Sequence, residues 1–132
     1  MMWGLAMLLA AAASNCGDKD NQTAMNMCQA EVAARADDEM NRVWKQVYPA
    51  MQREDRSYDR PKLEGAREPG YAAALLASQR AWLTFREAQC RIESYEWRGG
   101  SMQALRESQC RTDVTLARIR QLRATLSYFT AK

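Results

Sequence analysis

The side chains with the most chemistry to offer here are four cysteines, sixteen carboxylates and nineteen lysines and arginines, and there is no histidine. Without histidine, acid–base catalysis would fall to perturbed carboxylates or lysine. No Ser-x-x-Lys or comparable activated nucleophile occurs in the chain. The expectation is therefore a protein that is not an enzyme. Zinc is disfavoured in the same way, because Cys16, Cys28, Cys90 and Cys110 contain no C-x-x-C pair and have no histidine to complete a site. Met25-x-Met27 is the remaining soft pair, and two methionines without histidine make a poor copper site. Neither a metal nor a cofactor is expected. An even number of cysteines in a short exported chain points instead to disulfides.

Export is read from the N-terminus. Trp3 to Ala13 is an uncharged, Ala-rich apolar run of eleven residues. That is short of the roughly 20 needed to span a bilayer and fits the core of a signal peptide. Ala11 and Ala13 satisfy the small-x-small rule, placing cleavage after Ala13, although no Lys or Arg precedes the run. A buried N-terminal helix is the competing reading. A lipid anchor on Cys16 is opposed by Asn15, where a lipoprotein signal wants a small residue. The expectation is a signal peptide over 1–13 and one domain over 14–132, periplasmic or secreted, with no transmembrane segment in the mature chain.

Charge is unevenly spread. Residues 14–40 hold six acids against Lys19 and Arg35, a net of −4, whereas 41–132 hold 17 basic and 10 acidic residues, a net of +7. Acids interrupt the basic stretch throughout, which argues against nucleic acid as a partner.

Few β-branched residues and no sustained alternation leave an all-α reading: a small helical bundle stapled by disulfides, with an antiparallel helix hairpin. The first helix is expected over about 23–47, where Met25, Cys28, Val32, Ala36, Met40, Val43 and Val47 recur at helical spacing. Asn21 or Thr23 can cap it, and Pro49 should end or kink it. Residues 52–70 are crowded with charge and hold Pro61, Gly65, Pro69 and Gly70, so they read as a charged loop insert. A second helix is expected over about 71–97, with Leu75, Gln79, Trp82, Arg86, Gln89 and Glu93 on one face and Leu76, Leu83 and Cys90 beside it. Gly99-Gly100 breaks it. The third helix is capped by Ser101 and carries Leu105, Thr112, Leu116, Ile119, Leu122, Leu126 and Phe129 inward.

The glycine pair predicts a disulfide. Cys90 lies ten residues before Gly100 and Cys110 ten after it. Antiparallel helices with axes ~8–10 Å apart bring such residues level, within bonding range. Against this, Cys110 sits about 140° round the helix from Leu105, so helix 3 must use a second face toward helix 2, with Val114 and Ala117. Cys16 then pairs with Cys28 by elimination. Each closed loop would stabilise by about 3 kcal/mol in the chain-entropy model.

Several polar residues admit two readings. Asp37, Asp38 and Glu39 form an acidic knob that could bind a basic partner; equally, Asp37 could hydrogen-bond Asn41 or pair with an Arg from another helix. Arg86 and Arg118 read as buried guanidiniums paired with carboxylates. Trp44, Trp82 and Trp97 read as core and hairpin packing.

Taken in order, Cys28, Asp37-x-Glu39-Met40-Asn41-x-x-Trp44-Lys45, Gln79-x-x-Trp82-x-x-x-Arg86-x-x-x-Cys90, Gly99-Gly100-Ser101-Met102 and Cys110 with Thr115 and Arg118 form a pattern. It resembles the LprI-type lysozyme-inhibitor N-terminal-like family of small exported bacterial proteins. The resemblance covers nearly the whole mature chain, and the charged 52–70 insert departs from it most. It implies an α-helical envelope module, one branch of which is credited with inhibiting lysozyme. A lysozyme or another envelope protein is the partner it implies, with Asp37, Asp38 and Glu39 as candidate contacts. The alternative is a periplasmic interaction or scaffold protein without lysozyme activity.

Overall fold

The computed structural model describes residues 15–58 and 68–131. The expected signal peptide and its cleavage site lie outside the described residues. Three helices make the fold: α1 (Gln22–Ser57), α2 (Tyr71–Ser94) and α3 (Gln103–Thr130). Short 3₁₀ turns at Cys16–Asp18 and Tyr95–Trp97 precede α1 and follow α2. No strand occurs among the described residues, and the fold is the all-α, disulfide-stapled bundle the sequence implied.

α1 starts where its polar neighbours dictate. Asn21 is extended, and its side chain accepts from the Ala24 N–H at 2.8 Å, supplying one of the donors a helix start leaves unmet. The inward stripe is as read, with Val32, Ala36, Met40, Val43 and Val47 all buried. Its end is not. Pro49 lies inside the helix, which continues ten residues past Val47 to Ser57, so residues 52–57 are helical rather than loop. An interior proline costs about 3 kcal/mol. Opposing that cost, Val47, Ala50 and Met51 on either side are 0–3% exposed. The last turn also has a task. Asp55 accepts from the backbone N–H groups of Tyr71 and Ala72 at 2.7 and 3.0 Å. It thereby caps α2, whose own cap residue, Gly70, has no side chain to offer.

The hairpin turn depends on one glycine. Gly99 has φ 78°, a left-handed conformation open to glycine at little cost, and its N–H donates to Gln103 Oε1. Ser101 does not cap α3: the cap position falls to Met102 and makes no side-chain cap bond. Gln103 bonding back to Gly99 holds this end instead. Both disulfides are as expected, Cys16–Cys28 with Cα atoms 5.5 Å apart and Cys90–Cys110 at 5.4 Å. The required second face of α3 exists, carried by buried Cys110, Thr115 and Arg118, with Val114 and Ala117 only half-buried beside them.

The apolar core lies between α1 and α3. Met40, Val43, Val47, Ile119 and Leu122 form it, with Trp44, Leu75, Trp82 and Leu126 packed against them. A second cluster of Ala50, Met51 and Ala72 is closed by Tyr48, Tyr71 and Phe129. Three residues expected inward are exposed: Leu83, Trp97 and Leu116. The reason is rotation. α2 buries the side centred on Gln79, Arg86 and Cys90, and α3 turns Thr115, Ile119 and Leu122 inward, leaving Leu83 and Leu116 at the edges. Trp97 follows α2 in the turn, beyond the packed helices.

Candidate functional site

Two groups of polar side chains stand out, one buried and one at the surface. The buried group is a layer across all three helices, built around Trp82. Arg86 on α2 is 6% exposed, and its Nη1 donates to Asp37 Oδ1 of α1 at 2.6 Å and to Thr115 Oγ1 of α3 at 3.0 Å. Charge-assisted bonds of this kind are the strong ones. Glu87 extends the chain of charge, touching Arg86 and bridging to Arg111 on α3. Arg86 is thus the carboxylate-paired guanidinium expected, and Asp37 takes the Arg of another helix rather than Asn41.

Arg118 corrects the second half of that expectation. It is 8% exposed, yet no carboxylate lies within salt-bridge distance among the described residues. Its partners are neutral: Gln79 Oε1 at 2.9 Å, Ser78 Oγ at 3.0 Å and Gln121 Oε1 at 3.2 Å. Burial lowers its pKa from the ordinary arginine value, by desolvation. The physical reason for the neutral partners is supply. The residues of α2 facing Arg118 are Ser78 and Gln79, whereas Asp37 and Glu87 lie against Arg86 instead. The Trp82 ring serves both guanidiniums, with Arg86 Cζ 5.0 Å and Arg118 Cζ 6.0 Å from its centroid. Cation–π attraction there offsets part of the desolvation, including that of Arg86 Nε, which is buried with no hydrogen-bond partner among the described residues. The layer uses its functional groups on one another, which is the chemistry of a scaffold.

The surface group is the acidic segment of α1. Asp37, Asp38 and Glu39 follow one another but point into three environments. Asp37 is held by Arg86. Glu39 is held by Arg42 at 2.8 Å on its own helix and by Arg123 across on α3. Asp38 is exposed, and its side chain makes no hydrogen bond or ion pair among the described residues. Asp38 and Glu39 lie at the mouth of an open cleft of about 390 Å³ between α1 and α3. Val32, Ala36, Leu116 and Ile119 make its apolar wall, and Arg35, Arg42 and Arg123 share its rim with the two acids. This is where the exposed Leu116 finds its place.

Sequence reasoning located the acids but missed the cleft. Its α3 wall needed the rotation that brings Leu116 outward, and the wrong inward assignment of Leu116 hid it. No group of three or more His, Cys, Asp or Glu is placed to hold a metal ion among the described residues. No helix among them is long and apolar enough to cross a membrane.

An uncharacterized protein of Rhizobium meliloti (strain 1021) is 33% identical over 112 residues, covering 83% of this chain and 76% of the relative. No solved structure matches the chain. Residues 12–122, which hold the four cysteines, Asp37, Trp82, Arg86 and Arg118, match the family described as Lysozyme inhibitor LprI. The chain belongs to the LprI lysozyme inhibitor family.

Proposed function

We propose that this protein is an exported, non-catalytic binding module that inhibits a lysozyme by lying across its substrate cleft. The observation that carries the reading is the family match over residues 12–122. Lysozymes cleave through two carboxylates flanking the scissile bond in an open groove. A rigid protein seated across that groove excludes the polysaccharide without chemistry of its own. The three-helix scaffold supplies rigidity, and the α1–α3 cleft supplies a surface that combines apolar wall and charge.

Asp38 and Glu39 are the proposed contacts. Asp38 carries a charge with no partner in the described chain, within the 14–40 stretch whose net charge is −4. A basic lysozyme surface would be steered there. Asp37 contributes by holding α1 against Arg86, so its part in binding is positional.

The test is direct. The purified, oxidised protein is incubated with lysozymes of several classes while lysis of cell-wall suspensions is followed. The expected result is saturable loss of lysis with at least one of them. Absence of inhibition across all classes would replace this reading with that of an envelope interaction or scaffold protein whose partner is different.

A further inference from the structure

The outward side of α2 carries an apolar stripe. Phe85 and Ile92 stand 54% and 59% exposed, and Ala74, Ser78, Ala81 and Ala88 on the same side are exposed with them. At 100° per residue this stripe lies about 140° round the helix from the buried Gln79, Arg86 and Cys90. Met27 of α1 and Tyr128 of α3 are exposed too, but the exposed positions around them on α1 and α3 are more charged, with Glu31, Arg35, Asp38 and Lys45 on α1 and Asp113, Arg120 and Arg123 on α3. Exposed apolar patches of this kind mark interaction surfaces.

The spacing of the stripe says what kind of surface covers it. The intervals from Ala74 to Ile92 are 4, 3, 4, 3 and 4, a period of 3.5. That period keeps a seam in register with another helix running alongside. Phe85 and Ile92 take one seam position and Ala74, Ala81 and Ala88 the other, with Ser78 at the edge of the stripe, where its hydroxyl accepts from Arg118. The alanine layers, Ala81 before Phe85 and Ala88 between Phe85 and Ile92, let two backbones approach closely. We propose that this stripe is the seam of a parallel two-fold dimer, and that its occupant is a second copy of this chain.

Charge selects both the partner and its direction. Arg91 precedes Ile92 on α2, and Glu96 lies five residues further on, in the 3₁₀ turn that follows the helix; both are exposed, and neither makes an ion pair among the described residues. In a parallel pair these are the flanking positions that meet across the seam. Arg91 of each copy therefore faces Glu96 of the other, twice by symmetry. An antiparallel pair puts the two residues on opposite flanks and forgoes the match. The seam from Ala74 to Ile92 is about 27 Å long at 1.5 Å per residue, so the dimer is a small-interface one that dissociates on dilution.

Sedimentation equilibrium of the oxidised protein over a range of concentrations tests this. The expected result is a reversible monomer–dimer equilibrium. Phe85→Glu with Ile92→Glu should abolish the dimer while leaving helical circular dichroism and the thermal midpoint unchanged, since both side chains are exposed. If that variant loses helix, Ile92→Gln alone carries the same expectation. Arg91→Glu should weaken the dimer, and Arg91→Glu with Glu96→Arg should restore it. A protein monomeric at every concentration would overturn the proposal, as would a dimer indifferent to changes at Phe85 and Ile92. A dimer that the charge exchange fails to restore would overturn the parallel register.

Discussion

The two ends of this bundle are closed by different physics. At the end holding the α2–α3 turn, both disulfides cluster, and Leu105 is the one large aliphatic side chain buried there. At the opposite end the helices are held by rings and small apolar residues. Tyr71 meets Phe129 edge-on at 5.4 Å and Tyr58 at 5.9 Å, over Ala50, Met51 and Ala72. Covalent staples appear where the apolar residues run out. A chain this small buries a limited fraction of its surface, so the end without a core takes its stability from a constrained unfolded state.

That contrast predicts an asymmetric response to losing a staple. Replacing Cys90 and Cys110 together by Ala should cost roughly 2–5 kcal/mol, measured by urea denaturation. Hydrogen exchange should show the loss first in the turn end, with amides around Val47, Met51 and Leu122 keeping most of their protection. Uniform loss along all three helices would mean that the ends are not separable and that the disulfide acts on the whole fold.

Between the ends lies the polar layer, and it sharpens the comparison because it is neither apolar nor covalent. Asp37→Asn leaves the Arg86 guanidinium in place while removing its closest counter-charge. The Asp37 side chain is 39% exposed, so water reaches the site and the expected cost is moderate, about 1–3 kcal/mol. A thermal melt reads it. Gln79→Ala asks the same of Arg118, whose partners are neutral, and its effect should be insensitive to salt where that of Asp37→Asn is not.

The aromatic end carries a smaller and more local device. Asp55→Ala should cost about 0.5–2 kcal/mol, the usual range for a lost helix cap. It should also fray the first turn of α2, since Tyr71 and Ala72 lose the acceptor of their N–H groups. Faster exchange at those two amides, with Cys90 and its neighbours unchanged, is the expected signature.

Much of this was legible in the residues. Period and composition gave three helices, and the symmetric placement of Cys90 and Cys110 about Gly100 gave the hairpin staple. Helical spacing put Gln79, Trp82 and Arg86 on one inward face, and so made Arg86 a buried guanidinium in need of a carboxylate; the layer that joins it to all three helices was not visible. What escaped was decided by tertiary contacts. Pro49 is a local stop signal, overridden because Val47, Ala50 and Met51 are buried around it and because Asp55 beyond it caps another helix. Arg118 without a carboxylate, and Leu116 on the cleft wall, depend on helix rotations of a few tens of degrees that hydrophobic spacing does not fix. The acids of 37–39 were visible as charge, but their division among three environments was not.

That division makes the smallest expected effect on stability the most informative about function. Asp38→Asn removes a charge with no partner in the described chain, so stability should stay within about 0.5 kcal/mol of the parent. Under the lysozyme reading, inhibition should nevertheless weaken, and its dependence on salt should flatten, because steering toward a basic surface is a screened, long-range effect. Glu39→Gln is the necessary companion. It releases Arg42 and Arg123 together, turning the cleft mouth more basic, and should weaken inhibition further than a single lost charge would. Asp37→Asn is kept apart, since its effect on folding would be mistaken for one on binding. Were Asp38→Asn and Glu39→Gln both to inhibit as the parent does, with unchanged salt dependence, the acidic segment and its cleft would have no part in the inhibition. Contact would then have to come from another face of the bundle.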